Sequence, residues 1–122
     1  MDIKSVVPGV FSNAQKTVAL QPGDIIFSAG DGGTDMYGVA EGEIELRVGS
    51  AVLATLGPGE VFGEMALIAN EPRSATAVAT MPTTLAVIDR HRFLFLVQET
   101  PMFALQVMKV MASRIRAQNA AG

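Results

Sequence analysis

The stretch from Val61 to Ala79, VFGEMALIANEPRSATAVA, places the Glu64 carboxylate nine residues before the Arg73 guanidinium. A short helix is predicted between these two groups. We expect that helix to run over Glu64–Ala69 and to be followed by a turn at residues 70–72. Gly63 stands just ahead of the helix, and a residue without a side chain lets the backbone approach a ligand closely. The segment therefore predicts a helix N-terminus that faces a ligand.

The groups at the two ends of this helix suit an anion and a hydroxyl group. A helix N-terminus offers N–H groups without helical partners and a partial positive charge. Arg73 adds a rigid fork of donors that grips a phosphate with two hydrogen bonds. Ionised Glu64 only accepts hydrogen bonds, so it suits a hydroxyl donor such as that of a sugar. Phosphate and sugar hydroxyl at opposite ends of one small pocket predict a nucleotide ligand.

The same segment resembles the phosphate-binding cassette of cyclic nucleotide-binding domains. The resemblance is carried by FGE at 62–64, AL at 66–67 and PRSAT at 72–76. Upstream turns match in the same order, namely PGD at 22–24, GD at 30–31, DMY at 35–37, Gly42 and LGPG at 56–59. The resemblance extends over residues 20–116, nearly the whole chain.

The resemblance implies a cyclic nucleotide, cAMP or cGMP, as the ligand, and it assigns roles to individual residues. Arg73 is expected to pair with the cyclic phosphate, and Glu64 to accept a hydrogen bond from the ribose 2′-OH. The remaining cassette residues expected at the ribose and phosphate are Phe62, Gly63, Met65, Ala66, Ser74 and Ala75. Ser74 leaves the base open, because a serine here in the family can help hold a guanine amino group yet also occurs in cAMP binders.

The base requires a lid, which relatives provide with their last helix. Arg114 lies near the matching place. It either stacks on the purine as a cation over a π face, or is a helix-end arginine favoured by the helix dipole. An apolar wall around the base has four candidates, each of which is otherwise plain core: Ile44, Leu46, Val61 and Met111.

Short apolar runs separated by glycine and proline predict a mainly β fold. We predict strands at Thr17–Leu20, Ile25–Ser28, Met36–Ala40, Glu43–Val48, Ala51–Leu56, Ala75–Ala79 and Thr84–Asp89. Gly49-Ser50, between two such runs, indicates a two-residue hairpin turn. Strands this short and evenly spaced are typical of a sandwich or jelly roll. The family resemblance implies an eight-stranded jelly-roll-like β-barrel with a short cassette helix and two C-terminal helices.

Three segments are expected along the chain. Residues 1–16 form a short N-terminal segment with one helical turn near 11–14, and residues 17–89 form the β-roll with its cassette at 62–75. Residues 90–122 form two helices, which the resemblance casts as hinge and lid. Asp89 caps the first, about Arg90–Gln98, and Pro101 precedes the second, about Met102–Gln118. Apolar residues surround much of the second helix, so we expect it to bury more than one side.

Composition and charge exclude several other classes of protein. The chain has 122 residues, of which 49% are hydrophobic and 17% charged, as in one globular domain. It has no cysteine, so disulfides and thiolate chemistry are excluded. A net charge of −3 argues against a nucleic-acid-binding surface. The sequence shows neither an apolar run of the roughly 18 residues that a membrane helix needs nor a signal-peptide pattern, so we expect a cytoplasmic location without membrane insertion.

Two other functions compete with ligand sensing. An enzyme of the cupin type needs several histidines around a metal, whereas this chain has His91 alone, so neither catalysis nor a bound metal is expected. A degenerate domain would keep the motif but bind nothing, for example because Glu41, Glu43 or Glu45 competes for Arg73. Such a protein would act as a homodimer through its apolar C-terminal helix.

Overall fold

The computed structural model describes residues 16–121, and at Arg114 and residues 116–121 it describes the backbone alone. The helical turn expected near residues 11–14 lies outside the described residues, as does the side chain of Arg114. The base-stacking role suggested for Arg114 therefore stays a prediction.

Within residues 16–121 the chain forms eight strands and three helices. The strands are β1 (Thr17–Leu20), β2 (Ile25–Phe27), β3 (Met36–Glu41), β4 (Ile44–Val48), β5 (Ala51–Leu56), β6 (Val61–Phe62), β7 (Thr76–Ala79) and β8 (Thr83–Ile88). The helices are α1 (Glu64–Ala69), α2 (Arg90–Glu99) and α3 (Met102–Ala121). The strands make two four-stranded antiparallel sheets, in the orders β1-β8-β3-β6 and β2-β7-β4-β5. The predicted mainly β, jelly-roll-like fold is confirmed, as two facing sheets rather than a closed barrel.

Turn chemistry explains where the strands agree with the prediction and where they differ. The hairpin predicted at Gly49-Ser50 is confirmed, since Val48 lies opposite Ala51. The second strand ends at Phe27, one residue earlier than predicted. The reason is that the Ser28 N–H donates to the Asp31 carboxylate at 2.9 Å, which starts a turn.

Strand β6 was not predicted, because two residues are too few to show an alternating pattern. It nevertheless pairs with β3, with Phe62 opposite Tyr37 and Val61 opposite Gly38. This pairing brings the start of the cassette onto the sheet that carries β3 and β8.

Two apolar clusters hold the elements together. One lies between the sheets and contains Leu20, Val39, Ile44, Leu46, Leu56, Phe62, Ala75, Ala77, Ala79 and Leu85. The other lies between a sheet and the helices and contains Met36, Val61, Leu67, Ala86, Ile88, Leu96, Phe103 and Val107. The second cluster joins the cassette helix α1, through Leu67, to α2 and α3. Burial of apolar surface is the main stabilising contribution in both.

Among the described side chains of α3, the buried ones lie on one side of the helix, whereas burial of more than one side was expected. Phe103, Gln106 and Val107 are buried, whereas Leu105 and Met108 are each about half exposed (48% and 55%). The β-roll and α2 cover a single face of the helix, and within residues 16–121 nothing packs on the opposite face. No described helix combines the length and the apolar character needed to cross a bilayer.

The start of α2 follows the predicted capping pattern. The Asp89 carboxylate accepts a hydrogen bond from the Arg92 N–H at 2.8 Å, so Asp89 is the N-cap. The helix runs to Glu99, one residue beyond the predicted end.

Candidate functional site

The connection from β6 into α1 depends on a left-handed glycine. Gly63 has φ +80° and forms the N-cap of α1, a conformation that residues with side chains rarely adopt. The helix ends at Asn70, which is also left-handed, with φ 55°. These two turns fold the segment back on itself, so that Arg73 returns to the beginning of α1.

The backbone of Arg73 is fixed to the loop between β2 and β3. Its N–H donates to the Asp31 carbonyl at 2.9 Å, and its carbonyl accepts from the Gly30 N–H at 2.7 Å. These bonds join segments that are more than forty residues apart in the sequence. The position from which the Arg73 side chain starts is therefore set by both the cassette and this loop.

The guanidinium of Arg73 is nearly enclosed, with 7% of the residue exposed. Its Nη1 donates to the Gly63 carbonyl at 3.3 Å, and its Cζ lies 4.3 Å from the ring centroid of Phe27. Its Nε is buried and makes no hydrogen bond with any described residue. Leaving a buried donor of a charged group without a partner is costly, so this arrangement fits an anion bound beside Nε.

Three aromatic rings form a cluster next to Arg73, and two of them, Phe27 and Tyr37, lie near its guanidinium, with centroids 4.3 and 5.8 Å from Cζ. The rings of Phe27, Tyr37 and Phe62 lie with their centroids 5.5–6.0 Å apart, in tilted or stacked pairs. Phe62, an expected site residue, is fully buried in this cluster, packs against Phe27 and is not part of the lining of the cassette pocket described below. Burial raises the pKa of the Tyr37 phenol, an effect that the charge of Arg73 opposes and that of Asp35 reinforces.

A small pocket, here called the cassette pocket, lies at the start of α1. It has a volume of about 20 Å³, room for about one water molecule, so a phosphate requires the side chains around it to move apart. The lining residues are Phe27, Leu46, Gly63, Met65, Ala66, Pro72, Arg73, Ser74 and Ala75. The structure thus brings six of the expected site residues together, and adds Phe27 from a distant strand that no local sequence signal indicates.

A larger cavity, here called the helix pocket, continues from the cassette pocket towards α3. It has a volume of about 470 Å³, within the usual range for small-molecule sites. The lining residues are Leu46, Leu53, Ala54, Leu56, Glu60, Val61, Ser74, Ala75, Val110 and Ser113. The two pockets share Leu46, Ser74 and Ala75, so they are adjoining parts of one site.

Of the four candidates for an apolar wall around the base, two line the helix pocket and two lie in or against the core. Leu46 and Val61 line the helix pocket. Ile44 belongs to the core between the sheets, and Met111 packs against the core beneath the helices. Sequence reasoning missed Leu53 and Val110, since their shared place at the helix pocket depends on how β5 and α3, which are distant in the sequence, are arranged in the fold.

The acidic residues are arranged differently from the expectations. Glu64 has no exposed surface and does not line the cassette pocket, so a contact with a ribose requires the start of α1 to open. Glu43 instead accepts a hydrogen bond from the Thr80 hydroxyl, and Glu45 pairs with Arg47 at 2.6 Å. Glu43 and Glu45 therefore do not compete for Arg73 in this structure.

Two polar contacts tie the helices to the walls of the site. Arg90, at the start of α2, donates through Nη2 to the Leu67 carbonyl of α1 at 3.2 Å. Gln106 of α3 donates through Nε2 to the carbonyl of Gly59, which precedes β6. The cassette helix and the loop beside the helix pocket are thus each connected to one of the two C-terminal helices.

His91 is the one histidine of the chain, too few for the metal site of a cupin-type enzyme. His91 lies in the first turn of α2 and is exposed. Among the described residues there is no group of three or more histidine, aspartate or glutamate side chains placed to hold a metal ion.

Most of this chain is similar in sequence to known proteins. The model of the cyclic nucleotide-binding domain matches residues 17–100. The cyclic AMP receptor protein of Thermus thermophilus is 40% identical over 99 residues, which are 77% of this chain and 46% of that protein. The cGMP-dependent protein kinase of Plasmodium berghei is 37% identical over 92 residues, covering 75% of this chain and 11% of the kinase.

A solved structure agrees with these sequence matches. The crystal structure of the Thermus thermophilus catabolite activator protein superimposes with a TM-score of 0.74 and 33% identity, over 98% of this chain and 56% of that one. The chain spans less than half the length of the curated relatives described above. On the matched residues, the sequence identity and the shared fold, this chain belongs to the cyclic nucleotide-binding domain family.

Proposed function

We propose that this chain is a regulatory module that binds a cyclic nucleotide, cAMP or cGMP, with the cyclic phosphate at Arg73. The observation that carries the proposal is the buried guanidinium, whose Nε makes no hydrogen bond with the described residues and which lines the cassette pocket. A cyclic phosphate supplies a compact anion with acceptor oxygens for such a donor. The start of α1 and Ser74 line the same pocket, so backbone N–H groups and a hydroxyl are available as further donors.

The base is assigned to the helix pocket. Ser74 and Ala75 line both pockets, so a ligand bound at Arg73 extends past them between β5 and α3. The lining is mostly apolar and includes Leu53 and Val110, which suits the faces of a purine. Glu64 is assigned to the ribose, once the start of α1 opens.

Regulation follows from the contacts of the helices with the site. Opening the cassette pocket moves α1, whose Leu67 carbonyl is bonded to Arg90 of α2. A base in the helix pocket touches α3 directly. Binding then shifts the balance between two positions of the C-terminal helices, by as much as the ligand prefers one over the other. The role is regulatory rather than catalytic, and the cytoplasmic location stays a prediction.

Calorimetric titration with cAMP and, separately, with cGMP tests the proposal. We expect saturable binding of one nucleotide per chain, and a loss of more than about 100-fold in affinity in Arg73→Leu, since two charge-assisted hydrogen bonds disappear. Arg47→Leu is the matched control, because Arg47 pairs with Glu45 at the surface, away from both pockets. The tighter nucleotide identifies the natural base. Full affinity in Arg73→Leu would refute the phosphate assignment.

A second function is favoured by one specific observation. Leu105, Met108 and Ile115 are exposed on α3 at the 3-4-3 spacing of a coiled-coil seam, with Ala112 between the last two. A chain that binds no nucleotide would use this stripe to pair with a second copy. The molar mass in solution decides this, since a dimer that Met108→Lys dissociates, together with no heat from either nucleotide, would favour the interaction protein.

A further inference from the structure

Gly33, in the loop between β2 and β3, lies against the guanidinium of Arg73. A Cβ atom built on Gly33 would stand 2.6 Å from Nη2 and 3.1 Å from both Cζ and Nε. Distances this short are not compatible with the present position of the guanidinium. At the neighbouring Gly32, an added Cβ meets no atom within 4 Å. A side chain at position 33 would therefore collide with the guanidinium, whereas a side chain at position 32 would not.

The three atoms near Gly33 form one edge of the guanidinium. Nη1 donates to the Gly63 carbonyl at 3.3 Å. That leaves Nε and Nη2 as the pair that two oxygens of one phosphate can approach side by side. Nε is the buried donor that makes no hydrogen bond with the described residues. The space beside Gly33 is thus the space beside the edge that suits an anion.

We propose that Gly33 is a positioning residue of the phosphate site, because its missing side chain keeps the Nε and Nη2 edge of Arg73 open. This inference rests on the proposed function. The loop holds its distance from Arg73 through the backbone bonds of Gly30 and Asp31. A side chain at position 33 can only be accommodated by displacing the guanidinium, which is the flexible partner. The loop between β2 and β3 therefore limits the space at the Nε and Nη2 edge of Arg73.

The test compares Gly33→Ala with Gly32→Ala by calorimetry, using whichever of cAMP and cGMP binds the unaltered chain and also ribose 3′,5′-cyclic phosphate, which lacks a base. We expect Gly33→Ala to weaken both ligands by the same factor, about tenfold or more, as for one lost charge-assisted hydrogen bond. Gly32→Ala should stay within about twofold. The midpoint of thermal unfolding should barely change in either variant, because neither glycine has a left-handed φ and the displaced group is a side-chain end.

A double substitution separates positioning from a general structural effect. In the Arg73→Leu background, Gly33→Ala should cause no further loss, since the edge that it crowds is gone. If Gly33→Ala lowers the unfolding midpoint, the added Arg73→Leu change should restore it by relieving the crowding, and failure to do so overturns the proposal.

The two proposals fail in different ways. Strong nucleotide binding by Arg73→Leu overturns the proposed phosphate site itself. Loss of binding in Arg73→Leu with equal affinities in Gly33→Ala and Gly32→Ala keeps the site and overturns the role of Gly33. A Gly33→Ala loss confined to the ligand that carries a base also overturns it.

Discussion

The cassette pocket and the helix pocket adjoin each other but are built in opposite ways. Seven of the nine residues that line the cassette pocket come from the single segment 63–75. The helix pocket instead collects its lining from β4, β5, the start of β6, residues 74–75 and α3. One pocket is therefore determined by a continuous stretch of sequence, and the other by how distant elements pack.

The energetics of the two pockets differ in the same way. The cassette pocket is close to closed, and its contacts are directional, from one buried cation and the backbone of α1. The helix pocket is wide and mostly apolar, and one wall belongs to a helix held by Phe103, Val107 and the Gln106 contact. Directional contacts to a charge tolerate little change, whereas an apolar wall loses affinity gradually. We therefore expect a substitution at a charged group of the site to weaken nucleotide binding more than a substitution in the apolar wall of the helix pocket.

The largest effect of a further substitution is expected at the ribose end, in Glu64→Gln. The change keeps the volume of this fully buried side chain but removes its charge. A hydrogen bond from the ribose 2′-OH to a charged acceptor then becomes a neutral one, and we expect affinity to fall roughly 10- to 100-fold. Titration with the matching 2′-deoxy nucleotide checks the cause, because the variant should lose little more with a ligand that lacks the hydroxyl.

The control for Glu64→Gln is Glu71→Gln, an exposed residue in the turn of the same segment. It should bind as the unaltered chain does. If Glu64→Gln lowers the affinities for nucleotide and 2′-deoxy nucleotide by the same factor, Glu64 supports the cassette without touching the ribose.

The sequence predicted more of the cassette pocket than of the helix pocket. The bounds of α1 agree with the prediction, and six expected residues line the cassette pocket, because Gly63 and the turn before Arg73 are local signals. The hairpin at Gly49 and the cap at Asp89 were predicted for the same reason. Local chemistry determines local geometry even when the rest of the fold is unknown.

The features that sequence reasoning missed depend on contacts between distant segments. Phe27 reaches Arg73 only because the backbone of residue 73 bonds to the loop after β2. The burial of a single face of α3 depends on how much of it the β-roll covers, so the composition of the helix suggested too much burial. Ile44 and Met111, suggested as wall residues, are apolar in a pattern that fits either core or pocket, and periodicity alone does not separate the two.

An intermediate effect is expected at the base end, in Val110→Ala. The change removes two methyl groups from the half-buried wall of the helix pocket, so we expect affinity for the nucleotide to fall about fourfold, as for roughly 0.8 kcal/mol of lost apolar contact. Ribose 3′,5′-cyclic phosphate should bind equally well before and after the change. Leu105→Ala, on the exposed side of the same helix, is the control. Equal losses with and without the base would show that α3 acts on the cassette and not on the base.

The smallest effect concerns Tyr37, which reports on the phosphate end without perturbing it. Tyr37 is the one tyrosine of the chain, and there is no tryptophan, so ultraviolet absorbance near 295 nm follows its ionisation alone. Burial holds the pKa of Tyr37 above its usual value of about 10, while the positive charge of Arg73 acts in the opposite direction. A bound phosphate neutralises that charge, so we expect the nucleotide to raise the pKa of Tyr37 further.

The raised pKa of Tyr37 in the folded chain also makes the free energy of unfolding depend on pH. Because the folded chain holds the phenolic proton more tightly than the unfolded chain, the stabilisation is complete below pH 10 and is lost as the pH rises through the folded-state pKa. The free energy of unfolding should therefore fall above pH 10, and less steeply in Tyr37→Phe.

A nucleotide that binds at the helix pocket but leaves the Tyr37 titration unchanged would place the phosphate away from Arg73. The two pockets would then not belong to one ligand.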